Sequence, residues 1–139
     1  MVFIFLFMSE LSACRIWATM LKSGNSFSSL AQEEQELIQF QMSAYYDQSH
    51  YNANGWSIIQ YEKQPNVVEN NIYRSAYPAV QDSANYWQIM NSVLNDSLHN
   101  IAVAHLRAAT SGASSIQNPH PWIFENDSVY SFVHNGGAS

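Results

Sequence analysis

The sequence predicts an α+β domain whose strands pair largely antiparallel, and three observations carry that expectation. Helical and extended patterns are mixed along the chain without a regular strand–helix–strand alternation. The 139 residues are 47% hydrophobic, enough for a buried core in one domain of ordinary size. No internal repeat and no apolar stretch of the ~20 residues that a membrane span needs interrupts this pattern.

The elements follow in order. Cys14 to Met20 reads as a short strand, with Ile16 and Trp17 favouring extended backbone. Gly24-Asn25-Ser26 is a turn. From Ser29 to Tyr46 the pattern is helical, and it puts Leu30, Leu37, Phe40 and Ala44 on the buried face. Ser29 with Gln32 suggests a capping box, and Glu33, Glu34 and Glu36 suit the positive end of the helix dipole. Asn52-Ala53-Asn54-Gly55 is a turn that feeds a strand over 56–61. Pro65 and Pro78 bracket a segment in which Ile72-Tyr73 reads as a short strand. Asp82 or Ser83 caps a second helix with Trp87, Met90, Leu94 and Leu98 turned inward. Residues 100–107 are almost continuously apolar, the signature of a strand covered on both faces. A Gly/Ser/Pro-containing loop follows, then a hairpin (121–124 and 129–134) around Asn126-Asp127. Two helices cover one sheet face, and the other face requires a second layer.

Charge narrows the function classes. The net charge is −6 and the five Lys and Arg residues are scattered, which argues against nucleic acid, a partner that is met with clustered cations. Only 12% of residues are charged, with Ser, Asn and Gln taking their place at the surface. One cysteine forms no internal disulfide.

Residues 1–13 read as a leader, a propeptide or a start assigned too early. The run 2–8 is apolar, and Leu11-Ser12-Ala13-Cys14 is a small-residue cleavage site of the lipoprotein kind. Against export, no Lys or Arg precedes Cys14 and Glu10 stands between the apolar run and the cut. The expected compartment is therefore the cytoplasm, with a lipid anchor on Cys14 as the alternative. All three readings allow Cys14 to become residue one.

Three features carry chemistry. A lone Cys at a strand start is commonly a small buried hydrophobe. It becomes a nucleophile if its own α-amine is freed, since that amine has a pKa of about 7.7–8.0 against ~8.5 for the thiol. Arg107 ends a very apolar strand, where it either forms a strand-end salt bridge or presents a fork to a substrate carboxylate. Thr110 could add a hydroxyl to the same ligand. His134-Asn135-Gly136 is a common turn sequence, yet the Asn135 amide and the Gly136 N–H also make a donor pair suited to an oxyanion. His120 and His134 lack the acidic or Cys partners of a metal site, so no metal and no cofactor is expected.

Five phrases, taken in order, carry a resemblance: Cys14-Arg15, Asn54-Gly55-Trp56-Ser57-Ile58, His105-Leu106-Arg107-Ala108-Ala109-Thr110-Ser111-Gly112, Asn118-Pro119-His120-Pro121 and Phe132-Val133-His134-Asn135-Gly136. Over about residues 14–137 the chain resembles class II glutamine amidotransferases, and most the small stand-alone branch that includes γ-glutamyl amidohydrolases of thiol metabolism. The resemblance implies an N-terminal-nucleophile αββα sandwich and an enzyme that cleaves the side-chain amide of glutamine or a γ-glutamyl compound. It implies Cys14 as nucleophile, Arg107 on the α-carboxylate, and Thr110 and His120 lining the pocket. Asn135 and Gly136 would form the oxyanion hole.

Three departures accompany it. Thirteen residues precede Cys14, Ala108 and Ser111 replace bulkier residues, and the chain stops at Ser139. In the family, the acid that binds the substrate α-amine and several second-sheet strands lie beyond the His-Asn-Gly phrase. Residues 14–139 thus read as a partial domain with an incomplete sandwich. An inactive remnant and a lipid-anchored surface protein are the alternatives to the enzyme. Oligomeric state is not legible.

Overall fold

Strand pairing sorts the chain into two antiparallel sheets, with two helices packed against one of them. The computed structural model describes residues 3–4, 13–22, 25–62, 70–125 and 129–135. In chain order the elements are β1 (Phe3–Ile4), β2 (Arg15–Met20), a 3-10 turn (Phe27–Ser29), α1 (Gln32–Gln48), β3 (Trp56–Glu62) and β4 (Asn70–Ser75). Then come α2 (Ser83–Leu94), β5 (His99–Leu106), β6 (Trp122–Glu125) and β7 (Val129–Phe132). The larger sheet has the order β1-β2-β5-β3-β4, and every neighbouring pair is antiparallel. The β6–β7 hairpin is the second sheet. The α+β expectation therefore holds. The hairpin's turn residues, 126–128, fall outside the described residues.

Because side chains alternate along a strand, the large sheet has two unlike faces. Trp17, Trp56, Ile58, Ala102, Ala104 and Leu106 share one face and are essentially inaccessible to water. Against them pack Ile38, Met42 and Tyr45 of α1 and Tyr86, Met90 and Val93 of α2. Burying a large apolar side chain contributes roughly 1.5–3 kcal/mol, so this cluster is the main source of stability. Its polar atoms are satisfied. The Tyr86 hydroxyl donates to the Met42 carbonyl (2.7 Å), and the Tyr45 hydroxyl donates to the Arg15 carbonyl (3.1 Å).

Two sequence expectations change here. The buried face of α1 is Ile38-Met42-Tyr45, whereas Leu37 is 47% and Phe40 71% exposed, and Ala44 is exposed too. The spacing is helical in both sets, i, i+4, i+7 for Ile38-Met42-Tyr45 and i, i+3, i+7 for Leu37-Phe40-Ala44. What selects the observed one is that its long side chains reach Trp17 and Tyr86. The helix also begins at Gln32, so Ser29 lies in the preceding 3-10 turn and does not cap it. Instead the Glu34 carboxylate accepts the Ala31 N–H (3.3 Å), one half of a capping box. In α2, Met90 is buried as expected and Trp87 and Leu94 pack partly, but Leu98 lies past the helix end and is exposed. Asp82 stands at the N-cap without a side-chain capping bond. Its carboxylate accepts Trp56 Nε1 (3.1 Å), the Tyr73 hydroxyl (3.2 Å) and Asn85 Nδ2 (2.6 Å).

Candidate functional site

The opposite face of the sheet carries polar side chains at its upper end. Arg15 pairs with Leu106, and Ile16 with His105, across β2 and β5. Cys14 and Arg107 are the next residues along each strand direction, and alternation puts Cys14, His105 and Arg107 on this face, where all three line one cavity. From β3 and β4 the register adds Ser57, opposite both His105 and Arg74. A cleft of about 300 Å³ opens there, lined in part by Cys14, His105, Arg107, Thr110, His120 and His134. Four residues singled out from sequence (Cys14, Arg107, Thr110, His120) thus border one cavity. Asn118, which belongs to one of the ordered phrases but is given no role there, and Trp122, which reads in the sequence only as part of a hairpin strand, border it too.

Cys14 is buried at the start of β2, and its thiol donates to the Ala108 carbonyl (3.6 Å). Directly before it, Arg15 Nη1 donates to the Ala13 carbonyl oxygen at 2.6 Å, the carbonyl of the Ala13–Cys14 peptide bond.

Arg107 is 9% exposed and bonds to its own loop: Nη2 donates to the Ser111 carbonyl (2.7 Å) and Nη1 to the Ala113 carbonyl (3.3 Å). No acidic side chain pairs with it among the described residues, so the strand-end salt bridge is not what is found. Two carbonyls leave part of its five-donor fork for a ligand. The turn before β3 fixes the same backbone. Arg107 N–H donates to the Gly55 carbonyl (2.9 Å), Asn54 N–H to the Arg107 carbonyl (3.0 Å), and Ala109 N–H to Asn54 Oδ1 (2.9 Å). Gly55 has φ of +116°, and a Cβ there would stand 2.6 Å from the Ser75 carbonyl oxygen and 2.8 Å from Pro119 Cγ. Only glycine serves at that point.

Three histidines form a row across the cleft, the first pair of rings tilted and the second edge-to-face. His105 and His120 rings lie 4.3 Å apart and His120 and His134 rings 6.3 Å apart. His120 N–H donates to His105 Nδ1 (3.1 Å), and His134 N–H donates to His120 Nδ1 (3.2 Å). Burial, with neighbouring His120, Arg107 and His134, pushes the His105 pKa down to about 3. Burial likewise lowers that of His120, with the His134 N–H bond opposing and the charges of His134 and Arg107 adding to the decrease. The loop bearing His120 is fastened from the sheet, since the Ser57 hydroxyl donates to the His120 carbonyl and Arg74 Nη2 to the Pro121 carbonyl. With their Nδ1 lone pairs occupied, His105 and His120 are poor metal ligands, and no metal-holding group of His, Cys, Asp and Glu occurs among the described residues.

Asn135 follows β7 next to His134, and its Oδ1 is buried with no hydrogen-bond partner among the described residues. Gly136, the other expected oxyanion donor, lies outside the described residues. Among the described residues no helix is long and apolar enough to cross a membrane. No protein-family model matches the sequence, and no curated protein or solved structure matches it either.

Proposed function

We propose that this cleft is the active site of a glutamine amidotransferase-like amidohydrolase acting on glutamine or a γ-glutamyl compound, built on an N-terminal-nucleophile type of sandwich. The observation that carries the reading is the convergence of Cys14, Arg107, Thr110 and His120 on one cavity of about 300 Å³, from segments up to about a hundred residues apart. A buried thiol beside a guanidinium with no acidic partner among the described residues suits a small substrate with a carboxylate at one end and an amide at the other.

The reaction requires cleavage of the Ala13–Cys14 bond, and Arg15 already donates to its carbonyl oxygen. The freed α-amine takes the thiol proton, and the thiolate attacks the amide carbon. The resulting oxyanion accepts hydrogen bonds from the Asn135 side-chain amide and the Gly136 N–H. The C–N bond then breaks, ammonia or an amine leaves with the proton, and a γ-glutamyl thioester remains on Cys14. Water attacks that thioester, restoring the thiol and releasing the γ-carboxylate. Arg107 holds the substrate α-carboxylate throughout, with Thr110 beside it. No metal or cofactor takes part.

A glutamine-analogue electrophile tests this directly. The expected result is one adduct, on Cys14, suppressed by excess glutamine. Labelling that glutamine does not suppress, or an unlabelled Cys14 that still reacts with a small thiol reagent, sinks the reading.

A second reading has an observation of its own. Away from the cleft, Ile16, Ala18, Ile101 and Val103 on the same sheet face are only half-buried, and Trp122, Phe124, Tyr130 and Phe132 of the hairpin are exposed. Apolar surface of that kind calls for further cover. On this reading the 139-residue chain alone is an inactive part of such a domain. A melting curve decides: a broad, non-cooperative transition supports it, and a sharp one counts against it.

A further inference from the structure

We propose that His105 and His120 are positioning residues, whose Nδ1 lone pairs place the backbone of residues 134 and 135 at the Cys14 cleft. The proposal rests on the amidohydrolase reading for its catalytic meaning, but its geometry does not depend on that reading. The argument begins with a repeated bond. Two backbone N–H groups, at residues 120 and 134, each donate to the Nδ1 of a histidine one layer deeper. A neutral imidazole offers a single acceptor nitrogen, so each ring must carry its proton on Nε2. An imidazolium has no lone pair and would break its link outright.

The relay starts at the most rigid point available. His105 is fully buried on β5, the strand held on both edges by β2 and β3. From there one bond fixes residue 120 and the next fixes residue 134, while contact between the tilted His105 and His120 rings, 4.3 Å apart, sets the spacing of the first two layers. Asn135 is the very next residue. Asn135 sits on a segment for which the described residues supply one further hydrogen bond to the large sheet, between Tyr61 and Ser131. Among the described residues His105 Nε2 is itself buried without a partner, a desolvation cost that a purely apolar side chain would not carry. A leucine would fill the same space and avoid it. The tie to residue 120 offsets that cost.

Asparagine and glutamine separate this idea from simple packing. An Asn side-chain oxygen stands where Nδ1 stands, and a Gln oxygen reaches the position of Nε2. In the full chain, imidazole nitrogen NMR at neutral pH is expected to find both His105 and His120 as Nε2–H tautomers. For glutamine hydrolysis, His105→Ala and His105→Gln are expected to lower kcat by about 10²-fold, the scale of a small misplacement, with KM changing much less. His105→Asn is expected to recover most of that loss. Should the His105 variants not fold, His120→Asn against His120→Gln makes the same comparison at the second link.

An Nδ1–H tautomer in either ring overturns the inference, as does equal activity of the Asn and Gln variants. Wrong tautomers with a normal Cys14 adduct defeat the relay alone. Correct tautomers with no glutamine-protected adduct defeat the amidohydrolase reading, and the positioning role with it.

Discussion

The two faces of the five-stranded sheet are built from the same strands and do opposite work. On the helix side, Trp17, Trp56, Ile58, Ala102, Ala104 and Leu106 lock against α1 and α2 with almost no exposed surface. On the other side, Cys14, Ser57, Arg74, His105 and Arg107 gather under a loop and a hairpin that cover the sheet incompletely. Leu106 and its neighbours His105 and Arg107 are consecutive, yet one belongs to the core and two to the cleft. A period of two lets a single strand supply stability and chemistry at once. It also means that substitutions one residue apart should fail in different ways.

The sharpest contrast pairs Cys14 with Trp56. Cys14→Ala is expected to abolish glutamine turnover, by about 10⁶-fold if the loss matches that for other catalytic nucleophiles. Its stability should change by under about 1 kcal/mol, because little volume is removed. Trp56→Ala should do the reverse in denaturant titrations. It opens a cavity in the core and leaves Asp82 short of the indole N–H, for a loss of about 3–5 kcal/mol. If Cys14→Ala unfolded the chain, or Trp56→Ala left it as stable as before, the division between the faces would be wrong.

A smaller effect comes from pH. Both His105, at about 3, and His120 titrate below the ordinary histidine value of 6.5 in the folded chain. Between those values the unfolded chain binds more protons, so their contribution is complete above about pH 6.5 and is lost as pH falls toward the folded values. The cations facing the pair are Arg107 and, once protonated, His134, and they push in the same direction. Melting temperature should therefore decline progressively below about pH 6.5, and His120→Asn should flatten that decline. A melting temperature that rises on acidification would contradict a neutral His105–His120 pair.

The smallest expected effect lies on α1. Leu37→Gln and Phe40→Gln replace exposed side chains and should shift stability by no more than about 0.5 kcal/mol in the same titrations. A loss of several kcal/mol would show that another layer rests on that helix.

Much of the architecture was legible in the residues. Every strand placed from apolar alternation, aromatic content and turn residues is present, and so are both helices. The faces of α1 were not legible, because Leu, Phe, Met, Tyr and Ile recur all round the helix and only the partners Trp17 and Tyr86 choose among them. The ordered phrases brought out Cys14, Arg107, Thr110 and His120 as one group, and the fold sets them round one cavity. They contained His105 but gave it no role. A histidine inside the apolar run 101–106 was a signal, but its partner is fifteen residues away on a returning loop, and no local pattern encodes that bond. Ser57, which also stands in one of the phrases, and Arg74 went without a role for the same reason, since β3–β4 register alone turns them toward residues 120 and 121.

The proposed chemistry turns on the α-amine of Cys14, so the decisive measurement is glutamine hydrolysis by two forms of the protein, one beginning at Cys14 and one keeping residues 1–13 by a blocked cut. The expected result is glutamate release from the first form and none above background from the second. Equal turnover by the two forms would contradict it.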